Sequence, residues 1–129
     1  MINNKLQNKA KYESFNYGQY EKLKRLFHDP SFEPIQVEEL DLSNEKATTI
    51  PNVLCLQLLP HLKVLVLSGN QIHRFPGKVV AKELQALTIL DLSNNLIEEL
   101  DDLADMNLPN LSVLDYQGNY VNTYLLRIT

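Results

Sequence analysis

Apolar residues fall on one template four times along the chain. Residues 87–100 read LTILDLSNNLIEEL, and residues 62–75 read LKVLVLSGNQIHRF. Residues 111–124 read LSVLDYQGNYVNTY, and residues 37–50 read VEELDLSNEKATTI. The starts at 37, 62, 87 and 111 lie 25, 25 and 24 residues apart. The fourth and sixth positions are Leu40 and Leu42, Leu65 and Leu67, Leu90 and Leu92, Leu114 and Tyr116. Side chains alternate across a strand, so each pair shares one face and its neighbours share the other. The pattern predicts four short strands with a buried and an outward side. Two outward columns follow from it. One runs Glu39, Val64, Ile89, Val113, and the other Asp41, Val66, Asp91, Asp115.

The remaining template positions close the layers. The eleventh is Ala47, Ile72, Ile97 and Val121, and the fourteenth is Ile50, Phe75, Leu100 and Tyr124. One copy cannot bury these alone, but stacked copies share a continuous core. The ninth position is Asn70, Asn95 and Asn119. An inward Asn there can bond backbone groups orphaned by the turn. The first copy has Glu45 at this position and Asn44 one earlier. A carboxylate facing a core is costly unless paired, so the first turn is expected to be rebuilt. Short helices or helical turns are expected over 52–59, 78–87 and 101–108, with Leu59, Leu84 and Leu108 closing the core from that side. Before the first copy, Tyr12, Phe15, Tyr20, Leu23, Leu26 and Phe27 have helical spacing, which predicts a helix over about 11–28. The pair Asp29-Pro30 ends it.

The pattern L-x-x-L-x-L-x-x-N-x-L at a fixed period resembles the leucine-rich repeat family over about residues 34–124. The resemblance implies an α/β fold: a leucine-rich repeat solenoid with a short parallel β-sheet on its concave side and an N-terminal helical cap. The expected organisation is a polar N-terminus and cap over 1–36, and four repeats over 37–124. Residues 120–129 are then a C-terminal cap, or an edge for self-association.

Charge and cysteine narrow the setting. The net charge is −4 over 129 residues. Residues 1–36 carry +2 and residues 37–129 carry −6, so the repeats are acidic. That argues against a nucleic-acid backbone as partner. A single cysteine, Cys55, allows no intramolecular disulfide, and the cysteine-bonded caps usual in extracellular members of the family are missing. A reducing, cytoplasmic setting is expected, with the nucleus or a host cytosol as alternatives. Residues 1–15 hold no apolar run, and no stretch is long enough to cross a membrane.

Candidate chemistry is sparse. No nucleophile elbow, phosphate-cradling glycine loop or paired metal-ligand spacing is present. His28, His61 and His73 are scattered, and the acidic run Asp101, Asp102 and Asp105 has a sufficient role near a helix start. No enzyme, cofactor or metal is expected. The resemblance implies a protein-interaction module, regulatory or a bacterial effector acting on host proteins. Its candidate contact residues are Glu39, Asp41, Val64, Val66, Ile89, Asp91, Val113 and Asp115. The expected partner is a protein with a basic or apolar surface, and the oligomeric state is left open, a monomer being one option. The alternatives are a structural scaffold that self-associates, or a fragment of a larger leucine-rich repeat protein.

Overall fold

The computed structural model of the chain describes residues 17–99 and 106–120. The expected polar start, the first part of the N-terminal helix, most of the third crossing, and the tail beyond Tyr120 lie outside the described residues. So do the template positions Leu100, Val121 and Tyr124.

Four three-residue strands form one sheet in chain order: β1 (Glu39–Asp41), β2 (Val64–Val66), β3 (Ile89–Asp91) and β4 (Val113–Asp115). All neighbours are parallel. Helices α2 (Val53–Leu56) and α3 (Gly77–Glu83) fill the crossings from β1 to β2 and from β2 to β3. The fold is therefore mixed α/β, with a helix in each of these two crossings, since parallel strands need a crossover connection.

Hydrogen bonding between layers continues well beyond the strands. The Glu38 carbonyl accepts from the N–H groups of Lys63 and Val64, at 2.7 and 3.0 Å. The Lys63 and Thr88 carbonyls repeat this with Thr88/Ile89 and Ser112/Val113. Past the strands, Asn44, Gly69 and Asn94 donate to the Ser68, Ser93 and Gln117 carbonyls. Further on, Gln71, Leu96 and Tyr120 donate to the Ala47, Ile72 and Ile97 carbonyls. One register thus runs through each turn, which places equivalent residues in successive layers one above another.

The core follows the template. Leu40, Leu42, Leu65, Leu67, Leu90 and Leu92 are buried, with Ala47, Ile72, Ile97 and Phe75. Leu59 and Leu84 close the opposite side, joined by Cys55, Leu56 and Val80. Each buried leucine contributes about 1.5–3 kcal/mol relative to exposure. Leu108, Leu114 and Tyr116, in the last layer, are only half-buried.

The N-terminal helix differs from expectation. Helix α1 spans Glu21–His28, and a turn at residues 17–20 precedes it, so no continuous helix covers 11–28. Gly18 in that turn has φ +59°, a conformation that ends a right-handed helix. The apolar periodicity alone misses it, because Tyr17 and Tyr20 are buried from the turn just as they would be from a helix. Leu23 and Phe27 turn inward from α1, and Phe27 packs edge-on against Phe32 at 5.1 Å.

Candidate functional site

The asparagines at the ninth position build the frame behind the sheet. Asn70 Oδ1 accepts from the Glu45 and Ala47 N–H groups, at 2.9 and 3.1 Å. Its Nδ2 donates to the Leu42 and Leu67 carbonyls, at 3.0 and 2.9 Å. Asn95 bonds the Ile72 N–H and the Leu67 and Leu92 carbonyls in the same way. Asn119 bonds the Ile97 N–H and the Leu92 and Tyr116 carbonyls. Each amide stitches its own layer to the one before and satisfies backbone groups that the turn would otherwise bury unpaired.

The residue before each of these also repeats. Asn44, Gly69, Asn94 and Gly118 all have positive φ, between 55° and 75°. Asn and Gly tolerate that region best. They alternate for a packing reason. A Cβ on Gly69 would run into the Asn44 side chain, and one on Gly118 into Asn94. Asn44 is thus not a displaced member of the asparagine ladder. It occupies the left-handed position of its own turn.

Glu45 replaces the ladder asparagine in the first layer, and the structure pairs it. Its Oε2 accepts from the Lys22 backbone N–H at 3.0 Å, in the first turn of α1. A carboxylate there also meets the positive end of the helix. Lys22 Nζ donates to the Asp41 carbonyl at 2.7 Å. Gln19 Oε1 accepts from the Thr48 N–H at 2.6 Å, and the Tyr20 hydroxyl donates to the Thr49 carbonyl at 2.6 Å. Burial, with the Glu45 charge beside it, pushes the Tyr20 phenol up. The first turn is rebuilt as expected, with a second positive φ at Lys46.

On this frame the strands present their outward residues in two columns. Register aligns Glu39, Val64, Ile89 and Val113. It likewise aligns Asp41, Val66, Asp91 and Asp115. Ile89 is 36% and Val113 47% exposed, while Val64 and Val66 are half-buried. Glu39 and Asp41 are exposed, and Asp91 and Asp115 half-buried. All eight candidate residues therefore share one face.

The aspartates have local work that the strand pattern did not show. Asp41 Oδ1 accepts from the Ser43 N–H at 2.9 Å, Asp91 from Ser93 at 2.9 Å, and Asp115 from Gln117 at 3.1 Å. Each carboxylate fastens the start of its own turn, a bond to the N–H two residues on that Asp makes readily. The signal was present as Asp-x-Ser at 41–43 and 91–93, and as Asp-x-Gln at 115–117. The Ser43 hydroxyl and N–H together hold the Asp41 carboxyl below its usual range.

The bottom edge of the face is tied down. Lys63 and Glu38 form an ion pair at 2.8 Å, which raises the ammonium pKa and lowers that of the carboxylate. Thr88 and Ser112 donate their hydroxyls to the Lys63 and Thr88 carbonyls. His61 and His73 are exposed. His28 is half-buried, its ring edge-on to Tyr17 at 5.5 Å. Cys55 is fully buried, and burial pushes its thiol up to about 11. Among the described residues, no three His, Cys, Asp or Glu gather into a cluster that could hold a metal, and no helix is long and apolar enough to cross a membrane.

No curated protein matches the chain. Residues 60–105, which include β2, α3 and β3, match the family model of leucine-rich repeats in two copies. The matched stretch carries the leucines of β2 and β3, the ladder residues Asn70 and Asn95, and their turns. Residues 60–105 are thus a stretch of leucine-rich repeats.

Proposed function

We propose that the chain is a non-enzymatic recognition module that holds a partner protein against the outward face of its sheet. Leucine-rich repeat domains commonly mediate protein–protein interaction. The observation that carries the assignment to this face is the strand register. It sets partly exposed Val64, Ile89 and Val113 directly beside an aspartate column. An apolar centre with a charged border is the usual anatomy of an interface. In this reading the stacked layers are a short solenoid of about four repeats, with the sheet on its concave side. Helix α1 is the N-terminal cap over the first core layer, supported by buried Leu23 and Phe27 and by the Glu45 and Gln19 bonds. The contact residues are Glu39, Asp41, Val64, Val66, Ile89, Asp91, Val113 and Asp115, and the partner surface is basic or apolar. A reducing intracellular setting belongs to the proposal, supported by an array built without a disulfide.

The test is a pull-down from eukaryotic lysate with three proteins: wild type, Ile89→Glu/Val113→Glu, and Asp41→Asn/Asp91→Asn/Asp115→Asn. Asparagine keeps the turn-fastening oxygen and removes the charge, so folding is preserved by circular dichroism. A protein retained by wild type and lost by both folded variants supports the proposal. Equal retention by all three contradicts it.

A second reading is self-association along β4. It rests on the half-burial of Leu114 and Tyr116, whose counterparts in the other layers are buried, and on a groove of about 570 Å³ lined by residues 113–119. Among the described residues no strand pairs with β4 on its far side, and unpaired strand edges recruit further strands. A mass that rises with concentration in light scattering favours this reading, and a constant monomer mass removes it.

A further inference from the structure

The outward face has a spacing as well as a chemistry. Strands in one sheet stand about 4.8 Å apart, so Val64, Ile89 and Val113 repeat at about that distance. Asp91 and Asp115 lie two residues further along their strands, in a second column about 6.6 Å away. A partner segment that uses both columns must present side chains at nearly the strand spacing. An extended segment repeats on one side about every 6.6 Å, and after two strands it has drifted by about 3.6 Å. An α-helix repeats once per turn, about 5.4 Å, and drifts by only about 1.2 Å over the same span. A helix with its side chains is also about 10–12 Å wide, enough to straddle both columns.

Charge sets the flank. Glu38, Glu39, Asp41, Asp91 and Asp115 lie along or beside the face, and Lys63 is spent on Glu38. Lys22 adds a cation only at the β1 end, where it meets the Asp41 carbonyl. The β3–β4 end keeps two adjacent carboxylates, Asp91 and Asp115, in register.

We infer that the occupant of this face is an amphipathic α-helix of a partner protein, lying across the strands. Its apolar stripe, at i, i+4 and i+7, packs on Val64, Ile89 and Val113. Lys or Arg residues along one flank of that stripe meet Asp91 and Asp115. This inference rests on the recognition role proposed above for the face.

The experiment is a display selection on the full chain with two libraries. One presents a randomised face on a helical-hairpin scaffold, and the other presents unconstrained linear 16-mers. The expected result is enrichment from the helical library, with apolar residues at i, i+4 and i+7 and Lys or Arg on one flank. Those binders should lose at least ten-fold in affinity against Ile89→Glu and against Asp91→Asn/Asp115→Asn. Enrichment of linear peptides alone, of helices with uncharged or acidic flanks, or of nothing overturns the helix inference. Binders of either kind that hold Ile89→Glu and Val113→Glu as tightly as wild type overturn the underlying reading of the face instead.

Discussion

Two residues in each turn set how well one layer holds the next: the ladder asparagine and the left-handed residue before it. Asn95 is buried and satisfies the Ile72 N–H and the Leu67 and Leu92 carbonyls. Removing it leaves buried backbone groups unpaired, so Asn95→Ala should cost about 3 kcal/mol in urea unfolding. Asn119 makes similar bonds but is half-buried, and water can replace part of them. Asn119→Ala should cost about 1 kcal/mol in the same measurement. Equal losses would contradict the graded burial of the ladder. Cys55 gives a second test at this scale. Its free thiol ionises near 9, and the folded one near 11. Above pH 9 the unfolded chain sheds a proton that the folded chain keeps, so stability falls as pH rises from 9 to 11. The slope approaches about 1.4 kcal/mol per pH unit. Tyr20, also raised, adds to the loss above pH 10. Urea midpoints at pH 8, 9 and 10 check this. Cys55→Ala should flatten the curve between pH 9 and 10, and an unchanged slope would show that the thiol is not the cause.

Helix α1 and the first turn are coupled elements, because Glu45 does for the helix what asparagine does for the later turns. Its carboxylate accepts from the Lys22 N–H, one of the donors that a helix start leaves open. Glu45→Ala should destabilise the chain by about 1 kcal/mol and speed amide exchange in α1. Glu45→Gln keeps an acceptor and should recover most of the protection. If both variants exchange like wild type, the contact carries no weight in docking the helix. The strands, the core leucines and the outward columns were legible in the sequence, since each rests on a period that repeats. Ile72, Phe75 and Leu84 fall inside for the same reason. What was not legible is what occurs once or is read across layers. The Gly18 turn hides in a helical apolar pattern, and the Glu45–Lys22 bond joins residues 23 apart. The aspartates read as a plain acidic column because strand alternation says nothing of the N–H two residues onward. That bond gives Asp41, Asp91 and Asp115 a structural duty beside any binding one.

At the scale of the molecule, the described residues divide the surface by chemistry. The sheet side carries the apolar and acidic columns. The helix side exposes Leu54 and Val79, with Lys78 and Lys82 close in sequence to Val79. Leu54 and Val79 stand 25 residues apart, one repeat period, and make a fair control surface of apolar residues with similar exposure. On the proposed function, partners meet the sheet side. The most direct measurement is photo-crosslinking in lysate, with a benzophenone amino acid at position 89 in one protein and at position 79 in another. A discrete crosslinked partner is expected from position 89, lost when Val113→Glu is added, and none from position 79. A partner trapped from position 79 and not from 89 would contradict it.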